Sequence, residues 1–317
     1  MKAVVFTQYG PPEVLQLKEE EKPTPKANEI LIRVKATAVN SGDLRLRKAD
    51  PFAVRLFLGL TKPKLNILGG VLSGKVEATG NNVKRFKIGD NVFGSTGMRF
   101  GAYAEYICLS ENEAIALKPD SLTYSEAAVI PFGAATALYF IKKANIRSGQ
   151  KVLINGASGA MGSAAVQIAK YYGAVVTGVC STGNVALVKS LGADEVIDYS
   201  KEDFTKNGKT YDVIFDSVNK LSFSACIKLL TISGTLILSA ADLSGMLHGL
   251  WTSLTSRRKV LTGIISQNVE DMIFIKSLVE SGKLKPVIDR TYSLTQMAEA
   301  HEYTELGHKK GNVAITV

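Results

Sequence analysis

The pattern of apolar and polar positions changes character partway along the chain. Up to about residue 120, short runs of period two recur at Lys2–Phe6, Val14–Lys18, Ile30–Thr37, Gly74–Thr79, Asn91–Phe93 and Ala102–Ile107. Gly, Pro and Asn clusters separate them, which predicts a β-rich lobe built as a sheet or barrel. Pro119-Asp120 closes that region. Thr123 then reads as a helix N-cap with Glu126 as its capping-box partner. Beyond it, apolar strands alternate with helical patterns. Strands are predicted at Lys151–Ile154, Val175–Cys180, Val196–Ile197, Val213–Asp216, Thr235–Ser239 and Val260–Ile264. A helix is predicted over Ala160–Tyr172, with Met161, Ala165, Ile168, Ala169 and Tyr172 on one face and Gly173 as its stop. A second follows at Asn184–Leu191, closed by Gly192. Such alternation needs crossover connections, so the second region is expected to be an α/β domain with a doubly wound parallel sheet. The tail ends strand-like in "NVAITV" and is expected to return to the first lobe. The expected division is therefore a β-rich domain over residues 1–122 and 266–317 and a doubly wound domain over 123–265.

The first strand of the second region runs into "LINGASGAMGSA", residues 153–164. Gly156, Gly159 and Gly162 follow a strand and open a helix, the context a dinucleotide-binding turn requires. Missing side chains let the backbone approach a pyrophosphate, and the free N–H groups of the helix start point at it. The second strand ends in "TGVCSTGN" with neutral Cys180, Ser181 and Thr182. A carboxylate there would bond a ribose 2′-hydroxyl and repel a 2′-phosphate, whereas a hydroxyl can donate to one. This favours NADPH over NADH, although no Arg or Lys stands at 181–184. Lys189 and Tyr199 are the nearby candidates to assist.

Composition narrows the field. The chain has 317 residues, 46% apolar and 21% charged, enough for one large or two medium soluble domains. The formal net charge is +9. The Lys and Arg residues are scattered, with no aromatic–basic motif, so the surplus fits an anionic ligand better than a nucleic-acid partner. Cys108, Cys180 and Cys226 are odd in number and far apart, which fits neither a disulfide framework nor a metal site. No apolar run reaches spanning length, and the N-terminus reads as a strand. A cytoplasmic protein with no membrane partner is expected. "GGVLSGKV" has P-loop spacing but places Val76 at the metal-binding hydroxyl position, in a β-rich context. Tyr139 and Lys143, four apart, and the isolated His248, His301 and His308 are expected to be structural or solvated.

The segments "KAVVFTQYGPPEVLQL", "VKATAVNSGDLRLRKA", "SGKVEATGNNVKRFKIGDNVFG", "GAYAEYICL", "INGASGAMGSAAVQIAK", "SLGADEVIDY" and "GHKKGNVAITV" span nearly the whole chain. On them the chain resembles the medium-chain dehydrogenase/reductase superfamily, in its zinc-independent quinone oxidoreductase branch. The resemblance implies a GroES-like, barrel-like catalytic lobe and a Rossmann cofactor lobe, with homodimers common. Thr235–Ser239 and Val260–Ile264 are candidates for the strand edge joining two copies. It implies that Asn40 orients the nicotinamide or the acceptor, that Thr136 contacts the cofactor, and that Ser158, Gly159, Ala160 and Met161 wrap the pyrophosphate. Ser181 and Tyr199 match positions at the adenosine 2′-phosphate, and Ser239 and Asn312 match positions near the cofactor. Arg45–Leu68 lies where relatives shape the substrate pocket. The Cys, His and Glu ligands of zinc-dependent relatives are missing, with Ser41, Gly70 and Val71 at the corresponding places.

Without a metal or a named proton donor, reduction of a simple ketone lacks a group to stabilise the alkoxide. A quinone accepts hydride to give an aromatic hydroquinone anion. The expectation is thus an NADPH-dependent quinone oxidoreductase without zinc. An NADPH-dependent reductase of enones, enals or enoyl thioesters is the alternative. A nucleotide-binding protein with an RNA-binding or regulatory role is a third reading, which the absence of a concentrated basic stripe argues against.

Overall fold

A computed structural model describes the backbone of all 317 residues except 219, 240–242 and 264, and leaves aside the side chains of 57 and 243–247. The strands are β1 (Lys2–Val5), β2 (Gln16–Glu19), β3 (Glu29–Val39), β4 (Val71–Thr79), β5 (Asn91–Ser95), β6 (Tyr106–Ser110), β7 (Ile115–Leu117), β8 (Lys151–Asn155), β9 (Val175–Cys180), β10 (Glu195–Asp198), β11 (Tyr211–Asp216), β12 (Leu230–Leu238), β13 (Lys259–Thr262), β14 (Ile288–Ser293) and β15 (Asn312–Thr316). The helices are α1 (Ser41–Lys48), α2 (Val54–Leu58), α3 (Tyr124–Ala144), α4 (Ala160–Tyr171), α5 (Val185–Ser190), α6 (Phe223–Leu229), α7 (Leu243–Thr255), α8 (Val269–Glu280) and α9 (Met297–Glu305).

The contacts divide the chain into two units. The first holds Met1–Phe132, Gln267–Glu280 and Pro286–Val317, and the second Gly133–Ser266 and Ser281–Lys285. The boundary therefore falls inside α3, not before it. The physical reason is local: Val129 and Phe132 pack with Ala38, Val71 and Ala314 of the first unit. The capping box at the start of α3 is present, with Thr123 N donating to Glu126 Oε2 at 2.8 Å and Glu126 N to Thr123 Oγ1 at 3.2 Å. Residues 281–285 join the second unit through Gln167 of α4, whose amide exchanges two hydrogen bonds with the Lys285 backbone. Among the described residues α3 alone is long and apolar enough to cross a bilayer, and 72% of that stretch is buried inside the fold.

The first unit carries a seven-stranded sheet in the order β14-β15-β3-β4-β5-β7, with β6 also paired to β3. Its ladders are antiparallel except β14 with β15. Ile30, Ile32, Val34, Leu72, Val92 and Leu109 interlock beneath it. The P-loop-like "GGVLSGKV" lies at and within β4, and a Cβ at Gly74 would meet the Arg33 backbone and Ile32 Cγ2. That glycine serves strand packing. The Ala102–Ile107 prediction is displaced: Ala104 makes only an isolated bridge to Ala3, and the continuous strand begins at Tyr106; Ala102, Tyr103 and Ala104 are all buried in a row and do not alternate.

The second unit is a six-stranded sheet in the order β10-β9-β8-β11-β12-β13, parallel throughout. β13 is an edge. β12 lies between β11 and β13, so Thr235–Ser239 is interior and not a candidate edge; only Val260–Ile264 overlaps the edge, and its residue 264 lies outside the described residues.

Candidate cofactor and active site

The glycine turn is built by close approach. β8 ends at Asn155, and Gly156 follows at φ 77°, where a side chain is strained. A Cβ there would also stand 2.6 Å from Ser217 Oγ and from Val218 Cγ1. A Cβ at Gly162 would fall on the Gly156 carbonyl, so the third glycine lets α4 pack against its own lead-in. Gly156 N and Ala157 N both donate to the Val179 carbonyl, and Gly159 N to the Gly156 carbonyl. Gly159 is the N-cap, and Ser163 N is the first to reach back to it, at 2.9 Å. The N–H groups of Ala160, Met161 and Gly162 therefore have no i−4 carbonyl within the helix, which is the anion-binding end of α4. Ser158, Gly159, Ala160 and Met161 are partly exposed and can be approached. A brace sits behind the turn. Asn155 Nδ2 donates to Asp216 Oδ1 at 3.0 Å, and Ser217 Oγ to the Asn155 carbonyl at 2.7 Å.

The other expected residues of this unit, Thr136 apart, gather at the same C-terminal strand ends, where ligands of such sheets bind. Ser181 follows β9, and Tyr199 follows β10. The two strands are paired with Asp198 opposite Cys180, and Tyr199 N donates to the Cys180 carbonyl at 3.1 Å. Tyr199 is exposed. Ser239 follows β12 and its Oγ donates to the Asp216 carbonyl at 3.1 Å. Thr136 is buried on α3.

Asn184 is a residue the sequence did not single out as a cofactor contact. It is buried, and its Nδ2 donates to Ser158 Oγ and to Ser181 Oγ, each at 3.1 Å. One amide thus ties the glycine turn to the end of the second strand. The spacing of 22 to 28 residues could not reveal it, because an Asn after a strand reads as a turn former. Asp198 stands one hydroxyl behind, accepting from Thr182 Oγ1 at 2.6 Å. The Ser200 and Thr182 hydroxyls hold its carboxyl down at about 2, and Lys201 lies 3.6 Å away.

In the first unit, Asn40 joins β3 to α1 as N-cap of a capping box in which its N–H donates to Asp43 Oδ2 at 2.9 Å. Asn40 is buried, and its Nδ2 has no hydrogen-bond partner. A buried donor left unpaired is costly. Val313 pairs with Val39, so the preceding Asn312 flanks the same end of the ladder as Asn40. Asn312 Nδ2 donates to the Val287 carbonyl at 3.0 Å, and its buried Oδ1 is unpartnered.

Behind Asn40 runs a buried polar chain. Asp43 also accepts from Gly69 N at 3.1 Å and from the Tyr103 hydroxyl. Tyr103 Oη meets His301 Nε2 at 3.2 Å, and Arg47 Nε donates to His301 Nδ1 at 3.3 Å. Arg47, fully buried, also binds the Gly10 carbonyl and pairs with Glu305. Because Nδ1 accepts, His301 is the neutral Nε2–H tautomer, which donates to Tyr103, which donates to Asp43. His301 thus has a structural role, as expected. Burial, reinforced by the Arg47 charge, pushes its pKa down to about 3.

The Tyr139–Lys143 pair lies on the surface of α3. Lys143 Nζ donates to Tyr139 Oη at 3.3 Å in an exposed contact. Lys143 also lines a cavity of about 430 Å³ with Arg147, Asp212, Thr235 and Lys259. That cavity lies at the N-terminal ends of β8, β11 and β13, the wrong edge for a dinucleotide.

Residues 26–120 match the Alcohol dehydrogenase GroES-like domain, and residues 191–315 match the family described as Zinc-binding dehydrogenase. The metal in that description finds no ligand set here: among the described residues no three His, Cys, Asp or Glu side chains are grouped to hold an ion. Burial also pushes the Cys180 and Cys226 thiols up to about 11 and 12, away from the thiolate a metal needs. The 2-methylene-furan-3-one reductase of Solanum lycopersicum is 33% identical over 99% of this chain and 79% of its own length. The mitochondrial NAD(P)H oxidoreductase RTN4IP1 of Bos taurus is 34% identical over the whole of this chain and 89% of its own. The structure of the quinone oxidoreductase from Coxiella burnetii superposes with a TM-score of 0.89 at 32% identity, covering 100% of this chain and 99% of that one. Identity at this level along the full length, with the same two-part fold, places the chain: it belongs to the medium-chain dehydrogenase/reductase superfamily, in its zinc-independent quinone oxidoreductase branch, and is an oxidoreductase.

Proposed function

We propose that the protein transfers a hydride from NADPH to a quinone. The glycine turn carries the reading: Gly156 and Gly162 have no room for a side chain, and the start of α4 faces outward with unpaired N–H groups. In this reading those groups and Ser158 hold the pyrophosphate, and Ser181 and Tyr199 flank the adenosine ribose and its 2′-phosphate. Thr136 contacts the cofactor, and Ser239 and Asn312 are each proposed as cofactor contacts of their own unit. The cofactor supplies the hydride, and the chain aligns its donor carbon with the acceptor. The free Nδ2 of Asn40 is suited to donate to an oxygen that gains charge as the hydride arrives.

A second acceptor class, activated alkenes, is favoured by the similarity to the tomato 2-methylene-furan-3-one reductase. An enone also leaves charge on an oxygen, so the same donor serves both. Pairing of two copies through the β13 edge belongs to this reading as well.

The test is the loss of reduced-nicotinamide absorbance with NADPH and NADH in parallel, against simple quinones and enones. Turnover of quinones with NADPH preferred supports the reading. Turnover of enones alone moves the acceptor class. Failure of both NADPH and NADH to bind refutes it.

A further inference from the structure

Three large apolar side chains of the first unit stand in solvent on one short segment: Phe52 and Leu56 are each 67% exposed and Leu60 60%. The segment is not a loose loop. Val54 N, Arg55 N and Leu56 N each donate three residues back, to Pro51, Phe52 and Ala53, so a helical turn precedes and enters α2. Phe52 and Leu56 both stand exposed on it, and Leu60 follows just past its end. Leu58 is buried beneath, Tyr9 Oη donates to the Gly59 carbonyl at 2.7 Å, and Arg55 stacks 4.8 Å over the Tyr9 ring. The fold therefore anchors the turn and presents its apolar face outward. Scattered exposed apolar residues need no explanation, but three on one pinned turn do.

The surroundings of that face are basic. Residues 45–64 hold six Lys and Arg and one acid, Asp50. Arg47 is buried against Glu305, and Lys48 shares that carboxylate at 2.8 Å. Arg45, Lys62 and Lys64 are exposed and Arg55 partly so. Apolar side chains flanked by unneutralised cations form the pattern of an interfacial element that lies on an anionic bilayer. A second apolar cluster, Leu250, Trp251 and Leu254 on α7, precedes the edge strand β13 and lacks the flanking cations of the α2 segment apart from Arg257, Arg258 and Lys259 beyond its end.

We propose that the turn around α2 is a peripheral docking surface for anionic phospholipid, with Phe52, Leu56 and Leu60 entering the headgroup boundary and Arg45, Arg55, Lys62 and Lys64 facing the lipid charge. This revises the expectation of no membrane partner, and a surface contact needs no spanning helix. The proposal is independent of the acceptor and of the nicotinamide.

Sedimentation with vesicles tests it, using phosphatidylcholine alone and phosphatidylcholine with phosphatidylglycerol. The full chain is expected to pellet with the phosphatidylglycerol vesicles, to remain in solution with phosphatidylcholine, and to be released as salt rises. Phe52→Ser/Leu56→Ser/Leu60→Ser, at exposed positions, is expected to weaken the partition at least tenfold, as is Lys62→Glu/Lys64→Glu. Leu250→Ser/Trp251→Ser/Leu254→Ser is expected to leave it unchanged. Three results overturn the proposal: no pelleting with phosphatidylglycerol, equal pelleting of wild type and the 52/56/60 variant, or loss through the α7 variant alone. A 52/56/60 variant that pellets like wild type but raises KM for apolar acceptors assigns the face to the acceptor. One that pellets like wild type but loses self-association assigns it to a second copy.

Discussion

Acidification from pH 7 to 5 acts on both ends of the Asp43–Tyr103–His301 chain, with opposite signs. His301 is held neutral, its pKa lowered from 6.5 to about 3 by burial and by the Arg47 charge. A group depressed in this way stabilises the fold in full above 6.5 and loses that contribution as the pH falls toward 3. Between pH 7 and 5 the loss is about 2 kcal/mol. Asp43 is raised from 3.8 to about 6 by burial, against the pull of the Asn40 and Gly69 N–H groups and the Tyr103 hydroxyl. A raised carboxylate favours the fold while protonated and costs stability as it ionises. Over the same interval downward, its protonation returns about 1 kcal/mol. The pair therefore changes by only about 1 kcal/mol or less in the wild type.

Asp43→Asn removes the compensating half and keeps the shape. Its stability is expected to fall between pH 7 and 5 by about 1 kcal/mol more than that of the wild type. Urea unfolding followed by far-ultraviolet circular dichroism at constant ionic strength measures both proteins at both pH values. All other titrating groups are common to the two, so the difference of differences isolates Asp43. Parallel pH dependences would refute the assignment of a raised, buried carboxylate at the base of Asn40.

Three further outcomes are expected. Gly162→Val drives a branched side chain onto the Gly156 carbonyl and should abolish nicotinamide binding, read by quenching of cofactor fluorescence, and lower Tm. Gly183 has open space at its Cβ position and no positive φ, so Gly183→Arg should fold normally and shift the NADPH-to-NADH ratio of kcat/KM upward by about tenfold, the size of one charge-assisted hydrogen bond. Asn40→Ala removes the unpaired donor and should lower kcat by about ten- to a hundredfold with nicotinamide Kd little changed; an unaltered kcat would remove Asn40 from the acceptor's oxygen.

Local signals made the second unit readable. Val175–Cys180 is observed as predicted, residue for residue, because five of its six positions are buried and a glycine turn and a helix stop bound it. The glycine spacing, strand context and helix start are all contained within a dozen residues. The first unit was read less well. Helix α1 was not anticipated, because "SGDLRLRK" is polar and its N3 position holds Asp43, not Glu or Gln. The buried chain joins residues 43, 47, 103 and 301, and no local pattern announces contacts at a separation of 198 or 254. His301 looks isolated in sequence for that reason. Helix α3 is continuous across the two contact units, and side-chain packing at Val129 and Phe132, not a break in periodicity, divides it.

The contrast follows from sheet geometry. In a sheet where every ladder is parallel, all strands leave the sheet at one edge. Any polar residue just after an apolar strand then belongs to the same site, and so Gly156, Ser181, Tyr199 and Ser239 could be collected from sequence one by one. In the largely antiparallel sheet of the first unit, successive strands end at opposite edges, and position along the chain no longer tells which residues meet. There only pairing register brings Asn312 to the end of the ladder that Asn40 occupies, from 272 positions further along the chain. Register is a property of the folded sheet, set by side-chain alternation against a core. Resemblance to a family could suggest both asparagines. Their shared position, and the donor and acceptor each leaves unpaired, emerge only from the structure.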